Sequence, residues 1–99
     1  MENQKIELDL NDPTVRIQQQ LYRNVMDIAA MEEAVTVERK IKTDTGEKRL
    51  VFVIRAAAQD VGRVLGKKGH MIEGLRHLAY VTAFKLEIGL PVDVEVMEA

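Results

Sequence analysis

At 99 residues the chain is long enough for one domain with one hydrophobic core and too short for two. Hydrophobic residues at 46% and charged residues at 30% are the balance of a soluble globular chain, and the lack of cysteine excludes disulfides and thiolate metal sites. The net charge of −2 speaks against a generally nucleic-acid-coating protein, but it is unevenly spread: residues 55–85 carry a local +4 and the remainder −6.

The first residues, Met-Glu-Asn-Gln-Lys, contain no apolar signal core, and no run is long enough to cross a bilayer, so a cytoplasmic location with no membrane partner is expected. Residues 5–10 alternate, with Ile6, Leu8 and Leu10 on one side and Lys5, Glu7 and Asp9 on the other. That is the pattern of a short extra N-terminal strand within an extension over residues 1–11. Covering a sheet edge, pairing with a partner and disorder are all open to it.

Asn11-Asp12-Pro13 is a helix-start signal, because Asp12 can cap and Pro13 suits the first helical position. Ile17, Leu21, Val25 and Ile28 then give one apolar helical face, predicting a helix through about Met31. Val35, Val37 and Ile41 alternate with polar residues, Asp44-Thr45-Gly46-Glu47 is a turn, and residues 48–55 are a second strand containing Leu50-Val51-Phe52-Val53-Ile54. Together they predict a β-hairpin whose second strand, apolar throughout, is central. Residues 57–65 predict a short helix, residues 71–88 a long one, and Gly89-Leu90-Pro91 a break. Val92, Val94 and Val96 alternate with Asp93, Glu95 and Met97 in a last strand. The second and last strands are joined through helices and should lie parallel.

Between the two later helices stands Val64-Leu65-Gly66-Lys67-Lys68-Gly69-His70-Met71-Ile72. Two glycines let another backbone approach, the following helix aims its first N–H groups at the same spot, and two lysines add cationic donors. Such a loop suits a sugar–phosphate backbone. A plain helix–helix turn with solvated lysines is the bland alternative, since a Gly-x-x-Gly tetrad alone is weak evidence.

Helix, Gly-Lys-Lys-Gly, helix and strand in this order resemble a KH domain, with Asp60-Val61-Gly62-Arg63-Val64-Leu65-Gly66-Lys67-Lys68-Gly69 carrying most of the resemblance. The order α-β-β-α-α-β resembles the type II, prokaryotic, arrangement. The chain looks most like the small bacterial single-KH proteins of the KhpA type. That resemblance implies an α+β fold, with a three-stranded mixed sheet packed on helices, as a single KH domain over residues 12–98. It implies non-catalytic binding of single-stranded RNA, as an RNA chaperone or post-transcriptional regulator. It also implies a homodimer, or a heterodimer with a larger KH protein of the KhpB (Jag) type, and links to cell-shape control.

The residues expected to meet RNA are Gly62, Arg63, Leu65, Gly66, Lys67, Lys68, Gly69 and His70. Gly66 and Gly69 give backbone access and Lys67 and Lys68 contact phosphates, which supplies affinity without sequence information. Gly62 lets a base or strand approach, and Leu65 flanks the groove, while Val64 and Ile72 are expected in the core. Arg63 is open to two readings, a phosphate ligand or an exposed helical charge. His70, Glu73 and His77 share a helical face, but with no fourth ligand a metal site is not expected, nor is any cofactor. Gly62-x-x-x-Gly66-Lys67-Lys68 has one residue too few for a Walker loop and lacks its Ser or Thr, and no catalytic constellation is present.

Two rivals stand beside RNA binding. One is a protein-interaction module on the same fold, which exposed Val51, Val53, Val81 and Phe84 would favour. The other is single-stranded DNA binding, which a backbone clamp also supports.

Overall fold

The computed structural model describes residues 12–99; the predicted strand at residues 5–10 lies outside them. Helix α1 spans Pro13–Met26, strands β1 and β2 span Thr36–Asp44 and Glu47–Ala56, helix α2 spans Ala58–Leu65, helix α3 spans His70–Lys85, and strand β3 spans Val92–Glu98. Single 3₁₀ turns occupy Glu32–Ala34 and Lys67–Gly69. The sheet order is β1-β2-β3, with β1 antiparallel and β3 parallel to the central β2. This is the α+β, mixed three-stranded sheet of a type II KH fold.

Local chemistry accounts for the element ends. The Asp12 carboxylate accepts from the Thr14 backbone N–H at 2.9 Å and pairs with Arg39 of β1, so the cap also docks the helix on the sheet. The hairpin turns through Thr45 and Gly46, both with positive φ (49° and 84°), as a two-residue turn of type I′ requires.

Because cross-strand partners share a face, Leu50, Phe52 and Ile54 project to the helical side of β2 and Val51 and Val53 to the other. On the helical side Ile17, Leu21 and Val25 of α1 meet Phe52, Ile54, Val64, Leu75, Ala79 and Val94 in one core. Each fully buried large aliphatic there stabilises the fold by about 1.5–3 kcal/mol. Thr82 of α3 is buried as well and donates to Gln20 of α1 at 2.9 Å, joining the two helices by a polar contact inside the apolar layer.

One expectation is corrected, and the placement of three further residues is decided. The first helix stops at Met26, five residues before Met31: the Ile28 N–H turns to the Val25 carbonyl three residues back, and the N–H groups of Ala30 and Met31 beyond it are taken by the carboxylate of Asp60. Ile41, cross-strand partner of buried Leu50, is nonetheless 55% exposed. Val51 and Val53, whose exposure would have favoured an interaction module, are buried. Their side of the sheet is crossed by the ion pairs Lys42–Glu95, Arg55–Glu38 and Arg49–Asp93, whose long side chains lie along it.

Candidate nucleic-acid interface

Helix α2 has eight residues, of which only Asp60 and Val64 are buried. Its spacing explains why: the two stand four apart and share one face, leaving Gly62, Arg63 and Leu65 outward. The Gly66 N–H closes the last turn on the Gly62 carbonyl at 2.9 Å. The chain then leaves the helix at Gly66 with φ 79° and ψ 169°, and Lys68 (φ 56°) and Gly69 (φ 77°) are left-handed. Gly69 donates to Gly66 and His70 to Lys67, after which α3 begins at His70 without a side-chain cap.

The two loop glycines are required for different reasons. A Cβ on Gly66 would stand 2.5 Å from the Met71 Cβ and 2.6 Å from the Met71 nitrogen, so the chain's own backbone forbids a side chain there, independent of any ligand. A Cβ on Gly69 would meet only Ile72, at 3.9 Å, and its requirement is the left-handed φ. Gly62 is exposed in ordinary helical backbone, and a Cβ there would meet nothing within 4 Å. Its lack of a side chain leaves open space on the outer face of α2, beside Leu65 (39% exposed). Met71, 38% exposed and against Gly66, is an apolar flank that sequence reasoning passed over.

Charge resolves similarly. Of the six cations in residues 55–85, Arg55 is paired with Glu38, Arg63 with Asp60, and Arg76 with Glu73 and Asp93. Arg76 also donates to the Val94 carbonyl at 3.1 Å, fastening α3 to β3. Lys67, Lys68 and Lys85 stand outside every ion pair among the described residues. Two of those three are the adjacent, exposed lysines of the loop. The unneutralised positive charge of this stretch is therefore concentrated where the backbone is most open. His70 lies beside them, exposed.

Arg63 is 56% exposed at the side chain, with Nη1 donating to Asp60 Oδ1 at 2.9 Å. Asp60 has no accessible surface and accepts from Ala30 N at 3.0 Å, Met31 N at 2.9 Å and Arg63. Those two amides foremost, with the guanidinium, hold its carboxyl below the ordinary value of 3.8 against the opposing effect of burial. The role of Asp60 was missed in the sequence; its signal is an acidic residue on the inward face of α2, four before Val64. No three metal-ligating side chains converge among the described residues, His70, Glu73 and His77 included.

A family model for the KH domain of KhpA/KhpB matches residues 18–96, a span that contains both glycines and both lysines of the loop. Among solved structures, the chain is similar to a single-residue variant of Aquifex aeolicus Era bound to GDP·AlF4⁻, with 16% identity and a TM-score of 0.59. The likeness covers 85% of this chain and 30% of that one, and at such identity it speaks for the fold alone. No curated protein matches the chain in sequence.

Proposed function

We propose, from the premise that this chain belongs to the KhpA/KhpB KH-domain family, that it binds single-stranded RNA non-catalytically through the Gly66–Gly69 loop. The observation that carries the proposal is the coincidence of an open, left-handed backbone with two adjacent exposed lysines that pair with no acid among the described residues. In this reading Lys67 and Lys68 contact phosphates, the loop backbone and His70 follow the strand, and bases lie along the outer face of α2 over Gly62 and Leu65. Arg63, pivoting on Asp60, reaches the same backbone. Residues 12–98 act as a single KH domain, with residues 1–11 as an extension, in the cytoplasm. One such domain touches few nucleotides, so affinity is modest and strongly salt-dependent. A role as RNA chaperone or post-transcriptional regulator fits that weak, backbone-centred contact.

The test is fluorescence anisotropy with short single-stranded RNA and matched DNA, comparing the chain with Lys67→Asp/Lys68→Asp at two salt concentrations, with circular dichroism as a check on folding. RNA binding that weakens with salt and disappears in the folded variant supports the loop. Equal binding by both proteins removes the loop from consideration, and equal affinity for DNA replaces RNA by single strands in general.

A second reading, self-association or pairing with a KhpB (Jag)-type protein, is favoured by α3. Tyr80, Val81 and Phe84 are 60%, 47% and 79% exposed, and their spacing puts them on one side of the helix. The two readings are compatible, because a dimer would present two loops and raise affinity by avidity. Light scattering on wild type and Phe84→Ser decides it: a dimer that becomes a monomer supports the contact, and a monomeric wild type leaves only the heterodimer.

A further inference from the structure

The loop is presented by a short helix with few anchors. Of the eight residues in α2, Val64 alone is a buried apolar anchor, and the other buried side chain is a carboxylate. That carboxylate does not look toward the loop. It faces the segment connecting α1 to β1, where it receives the N–H groups of Ala30 (3.0 Å, Oδ1) and Met31 (2.9 Å, Oδ2). Those two amides lie about thirty residues away in sequence and have left the α1 ladder, which ends at Met26. Asp60 Oδ1 also holds Nη1 of Arg63, one turn closer to the loop. The result is a continuous bonded path: connecting segment, Asp60, Arg63 and the last turn of α2, which Gly66 closes on Gly62. A carboxylate accepting several donors is a rigid junction, because each oxygen is fixed by more than one partner or by a backbone group.

We propose that Asp60 is a positioning residue for the Gly66–Gly69 loop: by gripping the amides of Ala30 and Met31 it sets the seat of α2, and hence the aim of the loop, without touching nucleic acid. In its affinity arm this inference rests on the RNA reading above; in its structural arm it does not. Apolar packing by Val64 alone lets α2 rotate or slide on the core, since hydrophobic contact is non-directional. The hydrogen bonds from Ala30 and Met31 remove that freedom.

The experiment compares Asp60→Asn with Leu21→Ala, a core variant distant in role, at a temperature where both are folded by circular dichroism. Asn retains one acceptor oxygen but cannot accept from both amides and the guanidinium as the carboxylate does. The expected result is that Asp60→Asn shifts or broadens the backbone amide resonances of residues 66–70 more than those of the β1–β2 hairpin, and weakens RNA binding at least fivefold. Leu21→Ala should leave both readouts near wild type despite its lost stability. Unchanged loop resonances in Asp60→Asn overturn the proposal, and so does an equal disturbance of the loop by Leu21→Ala. Wild-type protein that fails to bind RNA refutes the RNA reading, while the amide comparison still decides the role of Asp60. Should Asp60→Asn not fold, hydrogen exchange on the wild type takes its place. Amides of Ala30 and Met31 that open together with the Gly66 amide support the junction; rapid exchange at Ala30 and Met31 beside a protected Gly66 overturns it.

Discussion

Helices α1 and α2 lean on the same core by different means. Helix α1 buries Val15, Ile17, Leu21 and Val25 along fourteen residues, whereas α2 buries one valine and one aspartate along eight. The first is held by area, which tolerates small displacements; the second is held by direction, through hydrogen bonds that specify an orientation. The difference suits their positions, since α1 closes the core and α2 carries the loop. A helix that must aim something benefits from a polar anchor even where an apolar one would stabilise it as well.

The comparison can be broken first at α1. Leu21→Ala should cost about 2–5 kcal/mol in urea denaturation, as a buried leucine truncation does, while RNA affinity of the folded protein stays within about twofold. A large affinity loss would show that the two helices are not separable. Next, Gly66→Ala should lower stability by about 2 kcal/mol, because an alanine held at positive φ meets the Met71 backbone, and should abolish binding in the same anisotropy assay. The charge reversal at Lys67 and Lys68 tests the loop without disturbing its seat. We expect at least a tenfold loss of affinity, about 1.4 kcal/mol, with a melting temperature nearly unchanged.

Acid sharpens the contrast. The folded Asp60 carboxyl lies below 3.8, so its stabilisation is fully present above that pH and is lost as pH falls through the lower folded value. Asp12 contributes with the same sign: burial pushes its carboxyl up, but hydrogen bonds from Thr14 and the Arg39 guanidinium outweigh this and keep it lowered. Urea midpoints measured from about pH 6 downward should therefore fall below about pH 4. In Asp60→Asn the fall should be shallower, and an identical acid limb would remove Asp60 from the account. The smallest expected effect is at Gly62, where alanine meets no neighbour and favours the helix. Gly62→Ala should raise stability by about 0.5–1 kcal/mol and weaken RNA binding severalfold, an opposition that a purely structural glycine would not show.

Much of this was legible because it is local. The Asp12-Pro13 start, the Thr45-Gly46 turn, the all-apolar centre of β2 and the break at Gly89-Leu90-Pro91 each act within a few residues. The loop was legible for the same reason, down to its glycines and lysines. What escaped depends on distance. Nothing near Met26 announces the end of α1: the amides of Asp27, Ile28 and Ala29 still reach its carbonyls, and those of Ala30 and Met31 go to Asp60, in another helix. The alternation of β1 puts Ile41 opposite buried Leu50, yet it stays 55% exposed, which no local pattern reveals. The clash that fixes Gly66 arises from the angle at which α3 departs, which no residue count reveals.

The charged pairs over Val51 and Val53 bear on the stoichiometry of any assembly. With Lys42–Glu95, Arg55–Glu38 and Arg49–Asp93 laid across it, that side of the sheet offers a neighbour charges that would have to be desolvated. The exposed side of α3 offers Tyr80, Val81 and Phe84. Two copies meeting through one and the same patch make a self-complementary contact that closes at two, whereas a second sticky face would permit chains of subunits without end. If α3 forms such a contact, the salt-bridged face would act as a terminator, limiting growth to that one patch.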